Sequence, residues 1–394
     1  MLNQTNQINN KKHTSYLIII TIIFSEFINS MLRYFSVIDM GQGVTIRKAL
    51  FLVLFAIMLW RVLKIGSSDS LTIRIRNEYL SFLVMYLYFL VIYVLRKGGM
   101  NITEISNIIM PFVVGILGYL SRIPQNKIAF RVFLGVYLIV LSYMYLVYVR
   151  YGQYNYTPVG LNSIYYIILA YPLVFIEKEK KYRLIFSIPI ILMAIISLKT
   201  TAILIIFACT LVFFLFGSKH FGVKVIFLPI VGLALLFLGY YIADRYFSLN
   251  IFEIYYRQNL VDGGNGRTLI WSRVIDAFSN SSLFSQVFGH GYNDGIVFSF
   301  GEAHNDFLET LYDYGIIGLL LMIINICYLV RMGVKMYKVN YEYTVAYIML
   351  TVEILIMFMC SNSLFVASYF MVVAYTLFVL LKDFDESKGY VVNI

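Results

Sequence analysis

The chain has 394 residues, of which 60% are hydrophobic and 13% charged, about half the charged share of a soluble domain. A water-soluble globule is excluded, because so few charges cannot cover a core of this size, whereas a bilayer-embedded helical bundle needs apolar residues inside and out. The net charge of +10 would point to nucleic acid in a soluble domain, so it is first tested against the topology rule for Lys and Arg.

Apolar stretches of spanning length fall near 16–32, 47–60, 79–95, 105–120, 132–149, 163–176, 184–198, 200–216, 225–243, 313–330, 343–360 and 363–381. They predict an all-α, polytopic membrane protein of about 12 transmembrane helices, one integral membrane domain over 1–394. Pro111, Pro172, Pro189 and Pro229 lie within spans, where neighbouring helices can satisfy the freed carbonyls, so kinked helices are expected. With the N-terminus inside, the inner segments hold 20 of the 31 Lys and Arg although they are together shorter than the outer ones. The basic balance is thus topological: both termini are expected in the cytoplasm, and no nucleic acid is implied. The polar first fifteen residues and the lack of a small-residue cleavage site read as a retained first helix rather than a removed signal peptide. Cys209, Cys327 and Cys360 each sit in an apolar run, which speaks against a disulfide framework or thiolate metal site and for packing.

One connection is long. Residues 244–305 form an outer loop between spans 9 and 10 that is rich in glycine, and a loop of that length in a compact membrane protein is usually functional. Within it Leu269, Ile270, Trp271, Val274, Ile275 and Phe278 recur at helical spacing. Two placements fit: an amphipathic helix on the outer leaflet with Trp271 at headgroup depth, or a loop helix with its apolar side against the protein. Arg245, Arg257, Arg267 and Arg273 are balanced by more numerous acids in the loop, so an anion site there needs individually placed arginines, whose planar fork matches phosphate oxygens; ordinary ion pairing is the bland alternative for each.

The loop ends on His304 and Asn305, followed after nine residues by Gly315 and, three further on, Gly318. Asn305 or Asp306 fits the N-cap of a helix running into span 10. Roughly 27 helical residues reach about 40 Å against a 30 Å hydrocarbon core, so the first two turns are expected to project above the membrane. At the positive end of the helix dipole His304 is favoured as a neutral ring able to accept a proton; the competing role is to hydrogen-bond loop carbonyls. Gly315 and Gly318, one turn apart, would admit a close helix or lipid chain.

The pattern His304-Asn305-(nine residues)-Gly315-x-x-Gly318, preceded by Arg267 through Trp271 and by Phe288-Gly289-His290-Gly291-Tyr292, resembles the signature of the bacterial O-antigen polymerase and O-antigen ligase superfamily. The close resemblance covers about 60 residues. It implies a glycosyltransferase, independent of metal and cofactor, acting at the outer face of the bacterial cytoplasmic membrane on glycans linked to undecaprenyl diphosphate. Its partners would be that lipid-linked oligosaccharide, the bilayer and, further, flippase and chain-length regulator proteins. Carried over residue by residue, His304 is the catalytic base for the acceptor hydroxyl and Arg267 clamps the diphosphate. Where members commonly carry Ser-Arg at the tight outer turn, this chain reads Ser197-Leu198-Lys199-Thr200; Lys199 supplies charge without the fork, which makes Arg257 a further diphosphate ligand. Asn305, Trp271, Gly315 and Gly318 are supporting residues; Glu302 and Asp306 flank His304 and are assigned to orienting its ring, with no metal site. His290 falls at a variable position and is read as incidental.

The favoured function is polymerisation of lipid-linked repeat units into surface polysaccharide (capsule, exopolysaccharide or O-antigen). The alternatives are ligase-type transfer of finished glycan to a lipid or wall anchor, and a flippase of the same lipids, for which symmetric halves and mid-membrane charges would be expected and neither is read.

Overall fold

The computed structural model describes residues 19–26, 28–32, 40–66, 77–97, 101–124, 126–147, 163–197, 199–217, 267–292, 303–360, 364 and 367–388. Residues 19–26 and 28–32 are helical. Thirteen further helices follow: α1 (Met40–Gly66), α2 (Asn77–Lys97), α3 (Ile102–Tyr119), α4 (Lys127–Tyr145), α5 (Ile164–Ile168), α6 (Ala170–Val174), α7 (Lys180–Ser197), α8 (Thr200–Phe216), α9 (Arg267–Ser279), α10 (Leu283–Phe288), α11 (Asp306–Lys338), α12 (Thr344–Cys360) and α13 (Ala367–Ser387). Eleven of the twelve apolar stretches overlap these helices; the ninth, 225–243, lies outside the described residues.

The helices betray their solvent by what they leave uncovered. On α2, Leu80, Val84, Leu87, Val91 and Leu95 are exposed in one row, and on α4 Ile128, Val132, Val136 and Ile139 form another. Rows of bare aliphatic side chains at helical spacing would be untenable in water and suit hydrocarbon. Tyr79–Lys97, Lys127–Tyr145 and Asp306–Lys338 are long and apolar enough to cross a membrane. At the centre the pattern inverts: every residue from Ser163 to Glu177, through α5 and α6, is buried, as expected of a segment apolar all round.

Packing divides the bundle into two neighbourhoods. One joins α3 closely to α13 and α1, with α2 alongside α11. There Gly118 admits the partner backbone, since a Cβ at that position would stand 2.4 Å from the Tyr375 carbonyl oxygen. The other sets α8 against α12, with α4, α5, α6 and α7 around them. Ion pairs crowd one end of the bundle: Arg122–Glu386 at 3.1 Å, Arg131–Glu177 at 2.8 Å, Arg131–Glu179 at 2.6 Å and Lys178–Glu342 at 2.7 Å. The loop helices α9 and α10 lie at the other, hereafter the loop end.

Two expectations are corrected. The sequence reading saw no charge mid-span, yet Glu353, nine residues into α12, is 1% exposed, and neither carboxyl oxygen has a hydrogen-bond partner among the described residues. Glu26 is likewise buried and pairs with Arg47 at 2.8 Å. A lone acid does not interrupt an apolar run enough to be noticed by span-reading, which is why both were missed.

The second correction concerns α11. It is two limbs, because Gly315 has φ 68° and ψ −172°, a region essentially reserved for glycine. The limb 306–314 therefore does not project as a straight continuation: Asp306, Glu309, Thr310, Tyr312, Asp313 and Tyr314 are all buried. Tyr314 stacks on Phe89 of α2 with ring centroids 4.0 Å apart. The break frees carbonyls at the end of the first limb, and each finds a donor. The amides of His290 and Gly291 bond the carbonyls of Tyr312 (3.1 Å) and Asp313 (2.8 Å), and the Tyr88 hydroxyl donates to Tyr314 at 2.9 Å. Gly289 and Gly315 let the two backbones meet: a Cβ on Gly289 would stand 2.2 Å from the Asp313 carbonyl oxygen, and one on Gly315 2.4 Å from that of Val287. Gly315 thus admits the end of α10 at Val287, the close helix approach expected of it, and also breaks α11. Gly318 keeps its expected closeness, with Phe89 and Tyr88 each 3.5 Å from the position of an added Cβ.

Gly315→Ala is expected to destabilise the protein by about 1–3 kcal/mol from backbone strain alone, with the Val287 clash adding to it. Thermal unfolding in detergent checks this; an unchanged midpoint would show that the break at Gly315 is dispensable.

Candidate active site

The site is assembled by docking the loop hairpin onto the first limb of α11. Ser282 caps α10 by accepting the Ser285 amide, and the Gln286 amide donates to the carbonyls of Phe278, Ser279 and Ser281, closing the end of α9. The apolar side of α9 packs inward: Val274, Ala303 and Tyr312 are buried together, with Ile270, Trp271, Phe278 and Leu308 around them. Trp271 donates its indole N–H to the Ala303 carbonyl at 2.8 Å. Of the two placements open in the sequence, the structure adopts the packed one, while Leu269 and Ile275 stay exposed. His290 is not incidental. Its ring stacks on Tyr312 at 4.2 Å, and its nitrogens lie 2.9 Å from the Ser281 hydroxyl and 3.1 Å from the Tyr312 carbonyl.

The indole bond fixes the residue just before His304. His304 itself has φ 49°, a left-handed conformation that carries the chain into the helix, and Asn305 is the N-cap: its side-chain oxygen accepts the amides of Phe307 (3.0 Å) and Leu308 (3.1 Å). The Asn305 amide group donates to the Met359 carbonyl at 3.4 Å, which sets this helix start beside the end of α12. Asp306 is fully buried and accepts the Leu364 amide at 3.0 Å, which ties the helix start to Leu364.

The cations come from two other elements. The Ser197 hydroxyl accepts the Lys199 amide at 3.1 Å, turning the chain so that Lys199 becomes the N-cap of α8. Arg267 opens α9. Burial and the neighbouring charge of Arg267 push the Lys199 ammonium down to about 8. The Arg267 charge also bears on the Tyr165 hydroxyl and the Cys360 thiol. Lys199 and Arg267 thus act on each other electrostatically, and among the described residues no carboxylate forms an ion pair with either. Such an arrangement is set for an anion with several oxygens. Cys360 follows Met359, the residue that Asn305 bonds, so the cation pair and the His304 helix start meet around the end of α12. Arg257 and Glu302 lie outside the described residues.

The match to a known family spans these same elements. Residues 185–323 match the family model described as O-antigen ligase. Over that stretch the chain is similar to the O-antigen ligase family. The matched stretch contains Lys199, Arg267, Trp271, His304, Asn305, Gly315 and Gly318, and it supports the resemblance to the O-antigen polymerase and ligase superfamily. No curated protein matches the chain.

A separate small cavity of about 30 Å³ between α2, α11, α12 and α13 is lined by apolar side chains such as Phe82, Met322 and Phe370, with Asn325. It contains none of the site residues, although Leu364 in its wall is the residue bonded to Asp306.

The sign of the pH dependence follows from Lys199. Its lowered pKa leaves it charged below about 8 and neutral above, so affinity for a phosphate-bearing anion should be full at neutral pH and fall as the pH rises through that value. Lys199→Arg should remove the fall and Lys199→Gln should weaken binding roughly tenfold at all lower pH. Titrating pyrophosphate affinity against pH checks this; a fall that persists in Lys199→Arg would assign it to another group.

Proposed function

We propose that the protein polymerises undecaprenyl-diphosphate-linked oligosaccharide repeat units into surface polysaccharide at the outer face of the cytoplasmic membrane. The observation that carries this reading is the pair Lys199 and Arg267, unopposed by described carboxylates and standing at the same end of the bundle as a capped helix start that bears His304. In the proposed reaction an acceptor sugar hydroxyl attacks the anomeric carbon of the donor glycan. The new glycosidic bond forms as the bond between that carbon and the diphosphate oxygen breaks, and the hydroxyl proton passes to His304. Negative charge grows on the departing diphosphate, where fixed cations are worth most because they need no reorganisation during the step. Lys199 and Arg267 supply those cations, and Asn305 and Trp271 hold the His304 segment in place. The outer loop, on this reading, spans 244–305 and completes the site with Arg257 and Glu302.

Ligase-type transfer of a finished glycan to another anchor is the second reading, favoured by the description of the matched family. The two differ in acceptor and not in donor. Purified protein given lipid-linked repeat units alone should produce a ladder of extended glycans; no ladder until a separate anchor acceptor is added would favour the ligase.

In that assay His304→Ala should lower extension by about 10²–10⁴-fold with normal expression and folding. Arg267→Lys should keep the charge yet lose most activity, since an ammonium cannot make paired contacts. Full activity in either variant would remove that residue from its role.

A further inference from the structure

At the end of the bundle away from the loop helices, cations from three elements gather around one carboxylate. Arg61, near the end of α1, donates through Nη1 to the Leu120 carbonyl at 2.9 Å and the Ser121 hydroxyl at 3.3 Å. Arg122, the residue after Ser121, pairs through Nη2 with Glu386 Oε1 at 3.1 Å, and the buried Lys382 of α13 stands 3.7 Å from the same oxygen. Of the other acids on α13, Asp383 accepts the Tyr341 hydroxyl at 2.7 Å and Asp385 is buried. Among the described residues Arg61 has no carboxylate partner, and its Nε and Nη2 form no hydrogen bond. The patch is left positive on its open side, where Arg122 is 29% exposed and Arg61 is half-buried.

The surface beside the patch faces hydrocarbon. Trp60 is 61% exposed, and Leu59, Val62 and Leu63 stand exposed on either side of Arg61. An exposed indole beside bare aliphatic side chains at a helix end is the pattern of headgroup depth, and it sets an arginine fork with unused donors at the level of lipid phosphates. We propose that Arg61 and Arg122, with Lys382 behind them, bind the phosphate of an anionic phospholipid whose acyl chains lie along Leu59, Val62 and Leu63. A phosphodiester supplies the oxygens that the guanidinium forks lack. An anionic headgroup is preferred to a zwitterionic one, which brings its own cation into a positive patch. The site is separate from Lys199 and Arg267 and depends on nothing proposed for them.

The chain has two tryptophans, Trp60 and Trp271, so the fluorescence lost in Trp60→Phe isolates the signal of Trp60. The full chain is placed in phosphatidylcholine nanodiscs that contain either brominated phosphatidylglycerol or brominated phosphatidylcholine, whose bromines quench an indole on contact. Brominated phosphatidylglycerol should half-quench Trp60 at a roughly tenfold lower mole fraction. Arg61→Gln and Arg122→Gln should each cut that preference roughly fivefold, and Arg61→Lys should keep most of it. Equal quenching by the two lipids would overturn the proposal, as would a preference that survives both glutamine variants. A preference abolished by inorganic phosphate at matched ionic strength would also overturn it, by assigning the patch to a soluble anion. If Arg61→Gln and Arg61→Lys both lose the preference and lower the thermal midpoint together, Arg61 serves the fold through Leu120 and the proposal fails.

Discussion

The carbonyl groups exposed where α11 breaks at Gly315 are the constraint on which the loop end depends. A helix that stops inside a protein must satisfy its last acceptors, and here the donors are the backbone of His290 and Gly291 and the hydroxyl of Tyr88. Meeting that need draws the loop hairpin down onto the first limb of α11. Once it is there, α9 buries Val274 against Ala303 and Tyr312, Trp271 bonds the residue before His304, and the Arg267 charge bears on Lys199. Glycine at 289 and 315 is required because the two backbones approach too closely for any side chain at either position.

Lys199 and Arg267 differ from the paired cations found at both ends of the bundle, such as Lys97 at the loop end, which pairs with Glu104 at 3.1 Å. At the end away from the loop, Arg122, Arg131 and Lys178 are each matched by glutamates, an arrangement that ties helices together. At the loop end two cations are kept close to each other and away from described carboxylates, with Lys199 partly desolvated enough to shift its titration. Holding them so costs free energy, and on the proposed reading the diphosphate offsets that cost when it binds.

Much of this was legible in the sequence because it is written in local spacing. Helical periodicity gave the apolar helices and Asn305 is recognisable as a cap by residue type and position, whereas Lys199, and Arg267 among the four loop arginines, were singled out by the family resemblance. What was not legible depends on long-range geometry or on single residues. Spacing shows that Gly315 and Gly318 are one turn apart, but a positive φ at Gly315 is a property of the folded crossing with Gly289, so a straight projecting helix was expected and a broken one is found. His290 reads as variable in a motif but is fixed by a stack and two polar contacts made by residues distant in sequence. Glu353 is hidden by the apolar run around it.

The central claim is that Lys199 and Arg267 together seat the diphosphate of a lipid-linked donor. The most direct measurement is an experimental structure of the full chain in nanodiscs with undecaprenyl diphosphate bound. The account predicts the diphosphate within hydrogen-bonding distance of both Lys199 and Arg267, at the same end as His304. A diphosphate seated elsewhere, for instance beside Arg61, Arg122 and Lys382 at the opposite end, with Lys199 and Arg267 unoccupied, would contradict it.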